Sequence, residues 1–116
     1  MPQDAANDMK ARLRADLRIA MKDRRAGEAK LLRALVAAID NAEAPLGHGD
    51  KPVESHDFRS GSAEVERLRL GDTGVRDILA AEIDERERAA AELESLGMKD
   101  RAETLRDEIL LARRYL

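Results

Sequence analysis

An all-α fold, a four-helix bundle made of two helical hairpins joined by a long loop, is what this sequence predicts. Three observations carry that expectation. Apolar residues recur at steps of three and four along most of the chain. Only 2 % of residues are aromatic, Phe58 and Tyr115 alone, so a core must come from Leu, Ile, Val, Met and Ala, which suits helix-on-helix packing better than a sheet. Residues 45 to 62 hold two Pro, three Gly and three Ser without periodicity, and this stretch divides the chain into two helical pairs.

The first helix is expected over about 8–24, capped by Asn7 or Asp8, with Met9, Leu13, Leu17 and Met21 at i+4 steps and Ala20 beside them. Gly27 then allows a break. The second, about 28–44, carries Leu31, Leu32, Leu35, Val36, Ile39 and Ala42, the broad stripe of a core-facing helix, and Pro45 ends it. The loop runs over 45–72, with one helical turn expected near 63–70.

A third helix, about 73–96, starts at Asp72 or Thr73 and uses Val75, Ile78, Leu79, Ile83, Ala90, Leu93 and Leu96 before Gly97 stops it. The fourth, about 100–116 with Asp100 as its cap, alternates steps of four and three through Met98, Ala102, Leu105, Ile109, Ala112 and Leu116. So short a link between these two makes them an antiparallel hairpin. Pairs such as Glu82 with Arg86 and Asp84 with Arg88 support helix formation on surfaces expected to be wet.

At 116 residues the chain suffices for one domain with one core. Charged residues reach 39 %, but the 43 % apolar content has helical spacing, which separates this composition from that of a disordered polymer. The absence of cysteine excludes disulfides, cysteine-based zinc sites and thiol nucleophiles. The first residues lack a basic-then-apolar signal pattern, and no apolar run approaches the ~20 residues that span a bilayer, so a cytoplasmic protein without a membrane partner is expected.

Charge is unevenly spread. Residues 1–40 hold nine Lys or Arg against six Asp or Glu, and residues 41–116 hold twelve against eighteen. Lys10, Arg14, Arg18 and Lys22, stepped at i+4 and flanked by Arg12, Arg24, Arg25, Lys30 and Arg33, form a basic ridge suited to tracking phosphates. Lys10, Arg14, Arg18, Lys22 and Arg25 are therefore the candidate anion- or RNA-binding residues. The same residues also fit an ordinary solvated helix face, and no aromatic side chains accompany them for base stacking.

Other constellations are weaker. His48, Asp50, Glu54, His56 and Asp57 could approach one metal ion, but they match no known ligand spacing and read as polar loop residues, so no metal site is expected. Glu82 with Asp84 and Glu85, or Glu103 with Asp107 and Glu108, lie among Arg partners rather than in a cleft. Ser55, Ser60, Ser62 and Ser95 sit in no nucleophile elbow, and Gly71 to Gly74 is too short for a phosphate loop and lacks its Lys. No catalytic residue and no cofactor is expected.

The run Leu31-Leu32-Arg33-Ala34-Leu35-Val36-Ala37-Ala38-Ile39-Asp40-Asn41-Ala42-Glu43 resembles the signature helix of the YqeY-like family, also called the GatB/YqeY family. Residues Leu13 to Asp23 are similar to that family's opening helix. Ile83, Arg86, the turn of Gly97 with Asp100 and Ala102, then Glu103, Glu108 and Tyr115-Leu116, follow its later pattern. Two departures stand out: residues 45–71 are longer than the usual connection, and Met98 stands where the family usually has Arg.

The resemblance implies a four-helix N-terminal module without the small tail module that links the family to tRNA. By that resemblance the chain is a non-catalytic helical binding module associated with tRNA-dependent amidotransferase systems, with tRNA or an RNA-associated protein as its partner. Two other readings stay open. The family name suggests participation in carbon–nitrogen ligase chemistry with glutamine as amide donor, for which no nucleophile or oxyanion site is visible. The other is a structural protein that self-associates, so both monomer and homodimer remain open.

Overall fold

The computed structural model describes residues 4–44 and 70–116. They form four helices and no strand: α1 (Ala5–Lys22), α2 (Ala26–Glu43), α3 (Asp72–Ser95) and α4 (Lys99–Arg113). The expected all-α architecture of two hairpins is observed, with α1 packed along α2 and α3 along α4. Helix α2 also touches α3 and α4, and α1 touches α3, so the two hairpins close on one core. Most of the expected loop, including the turn anticipated near 63–70, lies outside the described residues; Leu70 and Gly71 lead into α3 without being helical.

Helix α1 starts earlier than expected because Asp4, not Asn7 or Asp8, is its cap: the Asp4 carboxylate accepts the Asn7 backbone N–H at 3.1 Å. At the other end the break falls at Asp23–Arg25, and Gly27 lies inside the first turn of α2. The closing turn has two hydrogen bonds: the Arg25 N–H donates to the Ala20 carbonyl at 2.8 Å and the Arg24 N–H to that of Met21 at 3.1 Å. Arg24 takes the left-handed conformation, φ +61°, that such a turn demands.

The same turn recurs after α3. There the Met98 N–H donates to the Leu93 carbonyl at 2.8 Å and the Gly97 N–H to that of Glu94 at 3.0 Å, with Gly97 at φ +80°. Glycine fills the left-handed place in one hairpin and arginine in the other. Gly71 and Met98 stand at the N-caps of α3 and α4, in place of the expected Asp72 or Thr73 and Asp100. Helix α2 ends at Ala44, whose extended backbone (φ −69°, ψ 144°) is what a following proline enforces.

The core is aliphatic, centred on the fully buried Leu13, Leu31, Leu32, Leu35, Ile39 and Leu79, with small alanines (Ala6, Ala20, Ala112) where helices approach. Each buried leucine removes its side chain from water for about 2 kcal/mol. Two expected stripes shift. In α1 the inward row runs through the buried Ala6, Lys10, Leu13 and Ala20 and the partly buried Leu17, in steps of four and three, whereas Met21 is about half exposed. A run of pure i+4 steps drifts about 40° per step around the helix and leaves the core face, while alternating four and three holds it. Leu96, Met98 and Leu116 are exposed rather than part of the α3–α4 seam for another reason: Leu96 is the C-cap of α3, Met98 the N-cap of α4, and Leu116 lies beyond the end of α4.

Candidate nucleic-acid interface

The steps of four and three that keep Ala6, Leu13 and Ala20 inside bring Lys10 inside too. Its residue is only 6 % exposed, and its Nζ lies 2.7 Å from Asp40 Oδ1 and 2.7 Å from Glu43 Oε1 at the end of α2. Burial alone disfavours the ammonium, but the hydrogen bonds to Asp40 and Glu43, and then their charges, outweigh it and hold the Lys10 pKa above its ordinary value. Lys10 is thus a clasp between α1 and α2, and the sequence-derived ridge loses its first member.

Arg14, Arg18 and Lys22 stay together. They follow one another at i+4 on α1, all exposed, and none forms an ion pair with a described residue. Their arc faces away from the buried row because each lies one or more positions beyond Leu13, Leu17 and Ala20 around the helix. Arg25 is exposed but engaged: Nη2 meets Asp23 Oδ2 at 2.8 Å and Nη1 meets Glu28 Oε1 at 2.9 Å, which neutralises it locally. Arg12, counted among the flanking cations, stacks over the Tyr115 ring with its guanidinium carbon 4.6 Å from the ring centre, and donates to the Arg114 carbonyl at 3.2 Å.

At the end of the ridge the α1–α2 turn lines an open surface cavity of about 300 Å³. Its walls are Arg24, Arg25 and Arg33 around Ala20, Met21 and Ala29, with no carboxylate among the lining residues. Arg33 Nη2 donates to the Met21 sulfur at 3.3 Å, and neither Arg24 nor Arg33 forms an ion pair with a described residue. The sequence pointed to these arginines only as neighbours of the ridge. What gathers them is the turn, which brings Arg33 of α2 beside the end of α1.

The acidic candidates are structural or solvated. Arg86, half-buried in the α3–α4 seam, meets Glu82 Oε1 at 2.9 Å and Glu108 Oε1 at 3.2 Å. Asp84 pairs with Arg88 at 3.0 Å on an open surface, while Glu103 and Asp107 are exposed. A cavity of about 410 Å³ beside Glu82, Glu85 and Glu108 is also walled by Lys30 and Arg86, so its carboxylates face cations. Ser95 donates to the Glu92 carbonyl at 2.9 Å, as a helix-end hydroxyl does. His48, Asp50, Glu54, His56 and Asp57, and Ser55, Ser60 and Ser62, lie outside the described residues.

Tyr115, which the sequence offered only as one of two aromatic residues and as part of the closing family pattern, has a structural role that local spacing does not show. It is 6 % exposed, and its hydroxyl donates to Asp16 of α1, so the last residues of the chain are tied to the first helix. Burial, reinforced by the hydrogen bond to Asp16 and that carboxylate's charge, pushes the phenol pKa well above its ordinary value. Beside it lies a cavity of about 500 Å³ that also touches Met9, Arg12, Asp72 and Arg76.

No described helix is long and apolar enough to cross a membrane. No family model, curated protein or solved structure matches the chain.

Proposed function

We propose that this chain is a non-catalytic helical binding module, associated by its YqeY-like resemblance with tRNA-dependent amidotransferase systems, and that it offers the outer face of α1 to RNA. The observation that supports this reading is the row Arg14, Arg18 and Lys22: three exposed cations in register on one helix, with no ion-pair partner among the described residues. A row of cations at intervals of about one helical turn, roughly 6 Å, matches the spacing of successive phosphates along a strand. Lys10 is excluded from this surface by its burial against Asp40 and Glu43.

The test is tRNA affinity as a function of salt for the parent chain and for Arg14→Ala, Arg18→Ala and Lys22→Ala combined. Counter-ion release predicts that the triple variant binds more weakly and loses about 2 to 3 from the slope of log affinity against log salt. Equal affinity and equal slope in the two proteins would remove RNA from this face.

Self-association is favoured by a different observation: Leu96, Leu110 and Leu116 are 66 %, 63 % and 46 % exposed on the α3–α4 side. A mass in solution that stays monomeric across concentration would eliminate that second reading.

A further inference from the structure

We infer that the α1–α2 turn forms a discrete pocket for a single phosphate group, held by the guanidiniums of Arg24 and Arg33. This inference rests on the cationic-face reading above and gives that face one specific seat. Four observations converge. The cavity of about 300 Å³ is larger than a phosphate, and its lining contains three arginines and no carboxylate. Arg25 is already bridged to Asp23 and Glu28, which leaves Arg24 and Arg33 to act on a ligand.

The hydrogen bonding of Arg33 is the second sign. Its Nη2 donates to the Met21 thioether at 3.3 Å, a weak acceptor that leaves most of the guanidinium's donor capacity unspent. Third, the floor is made of Ala20 and Ala29, both nearly fully buried, whose small side chains leave the space open. Fourth, α2 begins at this place without a side-chain cap, so its first backbone N–H groups add to the positive end of the site.

The chemistry selects phosphate. A planar guanidinium presents two parallel N–H donors, and a phosphate monoester offers three terminal oxygens and free phosphate four, enough for two such forks and a backbone N–H together. A carboxylate has two oxygens and satisfies only one fork in that way. The backbone at Arg24 bears on the same point: an arginine occupies the left-handed place that Gly97 fills in the matching turn, so its guanidinium is kept where the backbone favours glycine.

Inorganic phosphate is the probe, added to the isotope-labelled full chain while backbone amide and arginine side-chain NMR signals are followed, with sodium chloride of equal ionic strength as control. Saturable shifts confined to residues 24–28 and to the Arg33 guanidinium are expected. Binding should weaken about tenfold or more in Arg24→Gly and in Arg33→Gln, the worth of one charge-assisted hydrogen-bonding group. Arg24→Gly relieves the left-handed backbone, so its loss of binding cannot be laid to unfolding. Shifts that are absent, that chloride reproduces, or that survive in both variants overturn the pocket.

Two short RNAs, one with a terminal phosphate and one with a terminal hydroxyl, then separate the sources of the group. Preference for the phosphorylated strand assigns the seat to a nucleic-acid end, and equal binding assigns it to a small free phosphate. Saturable phosphate binding without any tRNA affinity would sink the RNA reading and keep the pocket; tRNA affinity with no phosphate shifts would do the reverse.

Discussion

Arg24 and Gly97 occupy equivalent places in two turns of the same design, at φ +61° and φ +80°, and exchanging residue types there should move stability in opposite directions. A left-handed backbone costs an L-residue about 1–2 kcal/mol, and glycine avoids that cost while giving up about 0.5–1 kcal/mol to its greater freedom in the unfolded chain. Arg24→Gly should therefore stabilise the fold by about 0.5–1 kcal/mol. The Arg24 side chain makes no hydrogen bond or ion pair with a described residue, and its backbone N–H bond to Met21 remains available to glycine, so little is lost with the side chain.

Gly97→Ala should destabilise by about 1 kcal/mol. A Cβ added there meets nothing within 4 Å, so the effect is one of backbone conformation and not of a clash. For a chain of this size 1 kcal/mol moves Tm by about 4 °C, well within the precision of a thermal melt followed by circular dichroism. The expected result is Arg24→Gly above the parent and Gly97→Ala below it. If Arg24→Gly melted lower than the parent, the left-handed strain assigned to Arg24 would be wrong, and so would the argument that arginine is held there against the preference of the backbone.

The remaining predictions concern the core and the buried polar groups. Leu35→Ala, at a fully buried position, should cost about 3 kcal/mol in denaturant unfolding, with an unchanged m-value. Lys10→Met should cost about 2 kcal/mol or more, since it removes the ammonium that meets both Asp40 and Glu43, while leaving tRNA affinity close to that of the parent; a large affinity loss with unchanged stability would return Lys10 to the binding face.

The alkaline prediction has a clear sign. Tyr115 and Lys10 both have folded-state pKa values raised above their ordinary ones, so their stabilising contribution is complete below about pH 10 and is lost as pH climbs through the folded-state values. Tyr115 is the single tyrosine in a chain without tryptophan, so its near-ultraviolet tyrosinate absorbance reports on one group. Its titration should begin well above that of free tyrosine and coincide with unfolding, and Tyr115→Phe should flatten the loss of stability over that range. Titration at the ordinary tyrosine value in the folded chain would contradict the buried hydrogen bond to Asp16.

How much of this was legible in the sequence follows the range of the interactions. Helix existence, the two hairpins and the aliphatic core depend on residues three and four apart and on links of a few residues, and Leu31, Leu32, Leu35, Ile39 and Leu79 are buried as their spacing implies. Arg14, Arg18 and Lys22 were legible as an exposed row for the same reason.

Only the tertiary structure decided the rest. Lys10 reads locally as a surface lysine, and its place in the core depends on two carboxylates thirty and thirty-three residues away on α2. The bond from Tyr115 to Asp16 spans ninety-nine residues, and Arg12 is drawn from the ridge by that same ring. The pocket of Arg24 and Arg33 exists because the chain reverses at Asp23–Arg25 and lays the start of α2 against the end of α1. Periodicity along one helix states which face is apolar; which charged group lies at the edge of that face, and what it meets there, is settled only when a second helix arrives with partners of its own.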